Sequence, residues 1–290
     1  MTITRAVPWW GKVFVKSVIG LLPFSYEKLR ASLIGYNGEM ETPDYARNTF
    51  DHFLAIFRES GQVPQGGTLL ELGPGGSLLS AVYGRALGFG KTILIDVEDY
   101  ATMDPALYAA CLDVLSPGDR ERFQSRLQEG DVASALDSIG AEYYTNGLDS
   151  VRELPDESID YSFSNAVLEH VRKYEFDQLW VQLNRIHKRG TLSAHQVDFR
   201  DHLGGGLNNL RFPERVWESA WLANQAYYTN RLRHGEVCTK FASAGFSVLD
   251  EKTSCWDVVP LSTKRMAREF RDTDATDLKV FSSLITLQKA

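Results

Sequence analysis

The sequence predicts an α/β fold: a seven-stranded, mostly parallel sheet with helices on both faces, behind a helical N-terminal extension. Three observations lead there. Near residue 68 the hydrophobic spacing changes from a helical period to short apolar runs that alternate with helical stretches. The first of those runs, Leu69-Leu-Glu-Leu72, breaks into the glycine-rich turn Gly73-Pro-Gly-Gly76 before a helical stretch. The second, Ile93-Leu-Ile-Asp96, ends in a carboxylate 23 positions after Gly73.

At 290 residues and 43% hydrophobic content the chain can bury a large core, read as an extension over 1–65 and a main domain over 66–290. With 31 basic against 38 acidic residues and a net charge of -7, nucleic acid is not an expected partner. Cys111, Cys238 and Cys255 lie far apart without CxxC or Cys/His spacing, so neither a disulfide framework nor a zinc site is indicated, and a reducing cytoplasm fits. The apolar run over 8–10 and 13–24 is interrupted by Lys12 and Lys16, and no small-residue cleavage site follows. It is too short and too charged to span a bilayer. Two readings remain for it: an amphipathic helix covering the core, or a peripheral contact with the inner face of the membrane through Trp9 and Trp10.

Taking the elements in order, residues 45–57 place Phe50, Phe53, Leu54 and Phe57 at helical spacing, and Pro64 with Gly66-Gly67 ends that segment. Strands follow at 68–72, 92–96, 141–144, 159–164, 191–197, 247–251 and 279–287, the last two as a hairpin. Helices are expected at 78–87, 173–186 and 235–244, with a long irregular helical span over 105–139. Residues 199–234, between the fifth strand and the helix before the sixth, form an insertion that reads as a substrate cap.

Glycines in a strand-to-helix turn permit positive φ and close approach of a ligand, and the following helix start offers free amides. Alone, the turn suits an ordinary tight βα loop, a nicotinamide-cofactor fingerprint, or another nucleotide-type cradle. Two segments narrow the choice. Glu71-Leu-Gly-Pro-Gly-Gly76 resembles motif I of class I S-adenosylmethionine-dependent methyltransferases, with Leu78 where a dehydrogenase would carry its third glycine. Leu154-Pro-Asp-Glu-Ser-Ile-Asp-Tyr-Ser-Phe-Ser-Asn165 resembles the segment of that family leading into its fourth strand. The resemblance implies a Rossmann-like core and S-adenosylmethionine as cofactor. Glu71, Gly73 and Gly75 would hold its methionine end, Asp96 and Val97 its ribose, and the Asp149-Ser150 turn its adenine, with Asn165 closing the site.

Methyl transfer to a hydroxyl needs a group that removes the acceptor's proton. His202, just past the fifth strand and beside Asp201, is the candidate base, with His170 after the fourth strand as its rival. His195 falls inside a strand and reads as a satisfied core residue. Leu168-Glu-His170 is also similar to the Glu-x-x-Glu-His motif of metal-assisted methyltransferases, although Ala166 stands where the first glutamate belongs. That likeness implies magnesium or manganese near Glu169, His170, Asp198 and His202.

In the insertion, Arg200, Asn208, Arg211, Tyr228 and Arg231 are the polar and aromatic residues suited to a polyhydroxylated acceptor. Trp217 and Trp221 read as an i,i+4 packing pair, and 204–206 as a hinge or a plain turn. The arrangement resembles bacterial methyltransferases of surface-glycan biosynthesis, which implies O-methylation of a sugar or glycan. A natural-product or lipid-linked acceptor, or a catalytically silent cofactor-binding subunit, remains the alternative.

Overall fold

The computed structural model describes Gly11 and residues 42–61, 65–225 and 227–290. The N-terminal amphipathic and membrane readings lie outside the described residues. Among these residues no helix is long and apolar enough to cross a membrane.

The sheet has seven strands: β1 (Thr68–Leu72), β2 (Lys91–Ile95), β3 (Ala141–Tyr144), β4 (Ile159–Asn165), β5 (His187–Asp198), β6 (Phe246–Cys255) and β7 (Val280–Lys289). Their order is β3-β2-β1-β4-β5-β7-β6. The first five run parallel, while β7 enters antiparallel between β5 and β6. The last two strands thus pair as expected, but the link between them is the long segment 256–279 and not a tight turn.

The helices are α1 (Pro43–Glu59), α2 (Leu79–Ala86), α3 (Pro105–Ala109), α4 (Pro117–Gln128), α5 (Val132–Ser138), α6 (Leu148–Glu153), α7 (Lys173–Ile186), α8 (Glu214–Trp217), α9 (Ala220–Ala223), α10 (His234–Ser243) and α11 (Ala275–Lys279). Pro43 sits in the first turn of α1, where its missing N–H costs nothing, and Thr42 caps that turn by accepting from the Tyr45 amide at 3.3 Å. The irregular 105–139 span resolves into α3, α4 and α5, because Pro117 and Gly130 punctuate it.

Alternation along the strands separates two cores. Leu69, Leu94, Tyr161 and Phe163 face α1, α2, α4 and α5, with Phe53 stacked on Phe163 at 4.9 Å and Phe57 tilted against Tyr161 at 4.6 Å. Leu70, Ile93, Ile95 and Ile285 face α6, α7 and α10. On that second face the sheet also carries a buried polar chain. His187 Nε2 meets Ser162 Oγ at 2.8 Å, Ser162 Oγ meets Ser193 Oγ at 2.6 Å, Ser193 Oγ meets His195 Nε2, and His195 Nδ1 meets Ser164 Oγ at 2.7 Å. His195 is therefore the satisfied core residue that its place in a strand implied, and burial pushes both imidazoles down to about 3.

The insertion has its own small core of Leu203, Trp217, Leu222, Ala223, Tyr227 and Tyr228. Leu207 and Leu210 join instead with Leu261, Met266, Phe270 and Leu278, so the 256–279 link packs on the insertion and extends it.

Candidate active site

The strand order reverses between β1 and β4, and in an open α/β sheet the crevice outside the carboxyl ends of the strands at such a point is where ligands bind. The turn after β1 lies on one side of it. Gly73 and Gly75 both take positive φ, at +67° and +66°. A Cβ on Gly73 would stand 2.4 Å from Val167 Cγ2, so only glycine lets this turn pass the segment after β4. A Cβ on Gly75 would meet nothing within 4 Å; the space beside it is open to a ligand.

Two carboxylates frame the turn. Glu71 is buried on β1, accepts from Ser80 Oγ of α2, and is raised to about 7, chiefly by burial and further by Asp96. Asp96, at the end of β2, accepts from the Gly75 amide at 3.0 Å and from the Val97 amide at 2.8 Å. Burial raises its pKa despite those bonds. Each carboxylate oxygen has a second lone pair, so Asp96 can still accept from a diol. Gly147 donates to the Asp96 carbonyl at 2.8 Å, and its Cβ position is 3.1 Å from Val97 Cγ1, which brings the 146–150 segment against exposed Val97. Asp149 and Ser150 lie in α6 and not in a turn. Asp149 projects into solvent and pairs with Arg152 at 2.6 Å, whereas Ser150 is buried and accepts from the Asn146 amide at 3.1 Å.

Asn165, at the tip of β4, donates to the Tyr45 hydroxyl of α1 at 3.3 Å, so the helix before the sheet also borders the crevice. Ala166 follows with φ +55°, a conformation that costs a non-glycine residue about 1 kcal/mol or more and re-aims the chain toward Glu169 and His170. The imidazoles of His170 and His202 lie with ring centroids 4.9 Å apart. His170 Nδ1 donates to the Tyr228 carbonyl at 3.0 Å, which leaves Nε2 as the proton-accepting nitrogen of the neutral ring.

Several expected roles are corrected by this geometry. Asp201 is committed to its own turn: its buried carboxylate accepts from the amides of Leu203, Gly204, Gly205 and Asn208 and from Asn208 Nδ2. Those bonds make 204–206 a pinned turn. Asn208 is committed to Asp201 and to Arg211 Nε at 3.0 Å. Tyr228 is buried, with its hydroxyl donating to Glu218 at 3.0 Å. Arg231 is buried between Trp217 and Phe270 and donates to the Phe212 carbonyl at 2.6 Å. Tyr228 and Arg231 are part of the interior of the insertion and do not line its surface. Trp217 is buried while Trp221 is exposed, so the two are not a packing pair.

The expected magnesium or manganese ligands do not converge. Glu169, His170, Asp198 and His202 do not bring three ligand atoms within 4.8 Å of one another, and Arg200 occupies Asp198 with bonds of 2.8 and 2.9 Å. Glu169 is buried with neither oxygen hydrogen-bonded in good geometry, and burial, with Asp198 nearby, raises it to about 8. Residue types alone point to neither Ser80, Tyr45 nor the Tyr228 carbonyl, since each reaches the site from a distant stretch of chain.

No family model and no curated protein matches this chain. Solved structures overlap with it. An S-adenosylmethionine-dependent methyltransferase from Methanosarcina mazei is 16% identical, with 80% of this chain and 96% of that chain covered at a TM-score of 0.48. Geranyl diphosphate C-methyltransferase from Streptomyces coelicolor, solved with Mg2+, geranyl diphosphate and S-adenosyl-L-homocysteine, is 14% identical, covering 94% and 87% at 0.47. An S-adenosylmethionine-dependent methyltransferase from Mesorhizobium loti is 14% identical, covering 81% and 96% at 0.45.

Proposed function

We propose that this chain is an S-adenosylmethionine-dependent methyltransferase acting on a hydroxyl of a small acceptor, with a saccharide as the acceptor class. The observation that carries the reading is the cradle at the sheet's switch point: two left-handed glycines, open space beside Gly75, and buried Glu71 and Asp96 beneath and beside the turn. Asp96 suits a ribose diol, as it would in a dinucleotide site too, whereas Glu71 beneath the turn suits a cationic group and disfavours a pyrophosphate there.

S-adenosylmethionine, when bound, supplies a methyl carbon on a positively charged sulfur. Glu71 holds the cationic methionine end, the turn at Gly73 and Gly75 gives its backbone room, and Asp96 accepts from the ribose hydroxyls. His170, oriented through Nδ1 by the Tyr228 carbonyl, takes the acceptor's proton at Nε2. His202 beside it orients the hydroxyl or shares the proton. The exposed guanidinium of Arg200, held by Asp198, supports a polyhydroxylated acceptor, while Asn208, Tyr228 and Arg231 are spent inside the insertion.

The test is formation of S-adenosylhomocysteine from labelled cofactor over a panel of hydroxylated acceptors, with cofactor affinity measured by calorimetry. Cofactor should bind to wild type and to both histidine variants alike. His170→Ala should lower turnover by at least about 100-fold, the low end for a positioned base, and His202→Ala by less. Absence of cofactor binding sinks the whole reading; normal turnover in His170→Ala with collapse in His202→Ala transfers the base to His202.

A further inference from the structure

On the face where α10 packs against β6, three side chains of different donor type converge. His234 Nε2 lies 3.3 Å from Glu251 Oε2, Cys238 Sγ lies 3.6 Å from His234 Nε2, and the same sulfur lies 3.9 Å from Glu251 Oε2. An ion pair between His234 and Glu251 accounts for the first distance alone. It does not account for a thiol placed against both partners, which gains little from either as a neutral group.

The three separations are those of a tetrahedral face. With zinc bonds of about 2.0 Å to nitrogen, 2.3 Å to sulfur and 2.1 Å to oxygen, ideal ligand-to-ligand edges are about 3.4 Å for N–O, 3.5 Å for N–S and 3.6 Å for S–O. Among the described residues this is the one group of three or more His, Cys, Asp or Glu ligand atoms within 4.8 Å of one another. We infer that His234, Cys238 and Glu251 form a binding site for a zinc-class divalent cation, with water as the fourth ligand, which clamps the start of α10 to the β6 edge strand.

The elements that carry the ligands hold them in place. His234 and Cys238 are one helical turn apart, so both project from one side of α10. The residue before them, Arg233, is buried and donates to the carbonyls of Phe199 at 2.8 Å, Asp277 at 3.2 Å and Val280 at 2.5 Å, which fixes the start of the helix. The His234 ring stands edge-on to Phe199 at 5.9 Å. Glu251 sits within the β6–β7 ladder, in register with Ile285. It is exposed while the other two are half-buried, so an ion can enter from solvent.

The local field has the matching sign. Asp277, whose Oδ1 accepts from the Gly235 amide at 3.0 Å, adds a second carboxylate at the start of α10. Binding releases the thiol proton to solvent as sulfur becomes a thiolate ligand. A mixed sulfur, nitrogen and oxygen set selects zinc and its neighbours over magnesium and calcium.

The experiment uses the full chain, stripped with chelator and titrated with Co2+ as the optical probe, then with Zn2+ in competition. One equivalent of Co2+ should produce a thiolate-to-cobalt charge-transfer band, and one equivalent of Zn2+ should remove it. Cys238→Ser should abolish the band, and Cys255→Ser, which changes the exposed cysteine, should retain it. Glu251→Gln, a change that keeps the shape of an exposed side chain, should weaken Co2+ binding at least tenfold with circular dichroism unchanged. No band in wild type, a band that survives Cys238→Ser, or unaltered affinity in Glu251→Gln overturns the site. None of these readouts depends on methyl transfer.

Discussion

Glu71 is a carboxyl buried against α2, raised to about 7 by desolvation and by the nearby charge of Asp96, and countered in part by Ser80. A cation placed at the glycine turn favours its ionised form. Cofactor binding below pH 7 must therefore expel a proton from Glu71, and affinity should climb with pH up to about 7 and level off above it, by as much as about tenfold per pH unit on the rising limb. Glu71→Gln keeps the shape and removes the charge, so its affinity should be lower and flat with pH. Calorimetry in two buffers of different ionisation enthalpy reads the proton directly. Equal affinities for wild type at pH about 6 and about 8, with no proton released, would refute the role of Glu71.

At the scale of elements, the segment between β4 and α7 is held by one residue of the cap. The Asn230 amide N–H donates to the Glu169 carbonyl at 2.7 Å, and its Nδ2 donates to the carbonyls of Leu168 at 2.8 Å and Val171 at 2.9 Å. Removing that side chain in Asn230→Ala leaves buried acceptors unpaired, a loss of about 1 to 3 kcal/mol in urea unfolding. Because the same segment carries Glu169 and His170, turnover should fall at least tenfold while cofactor affinity stays near normal; a parallel loss of both would mean that the cap supports the cofactor and not the acceptor side. Asn230 illustrates what the sequence conveys and what it withholds. The glycine turn and Asp96 are legible because their chemistry is local, a strand, a turn and a carboxylate within about thirty residues. Strand β6 is legible only over 247–251 because nearly all of it faces solvent, so its polar end at 252–255 shows no alternation. The 256–279 link has no period at all and reveals its apolar residues only by packing on Leu207 and Leu210. Tyr228 and Arg231 have the composition of ligands, and residue type cannot tell a guanidinium sealed between Trp217 and Phe270 from one that meets a sugar. Likewise His234 and Cys238 are four apart in the sequence, but the third member of their group comes from another element, 13 positions beyond Cys238.

For the whole molecule, four buried titratable groups shape stability against pH. His187 and His195 sit at about 3 when folded against 6.5 when free, so the unfolded chain binds more protons and stability is lost as pH falls from 6.5 toward 3. Glu71 and Glu169, raised from 4.5 to about 7 and about 8, act in the opposite sense: the folded chain keeps their protons, and stability is lost as pH rises from 4.5 through those values. Between 4.5 and 6.5 the two pairs offset each other. The melting temperature should therefore be level across that window and fall on both sides, each group changing stability by on the order of 1 kcal/mol for every pH unit it spans. Glu169→Gln should lift the alkaline limb. Saturating cofactor should lift it too, by stabilising ionised Glu71. A melting temperature that climbs steadily from pH 4.5 to 8 would show that these carboxyls ionise without cost.

The polar chain inside the sheet has one end that is already decided. Thr191 Oγ1 gives its proton to the Lys188 carbonyl at 2.7 Å, so toward His187 Nδ1, 3.1 Å away, it can only accept. His187 must then carry its hydrogen on Nδ1, and its bare Nε2 takes the hydrogen of Ser162. With that hydrogen spent, Ser193 must point its own at Ser162, so His195 must present an N–H from Nε2 and receive Ser164 at Nδ1. One backbone carbonyl thus dictates opposite tautomers for two neutral imidazoles and the orientation of three hydroxyls across β4 and β5, a single proton order where the heavy atoms alone would permit more than one.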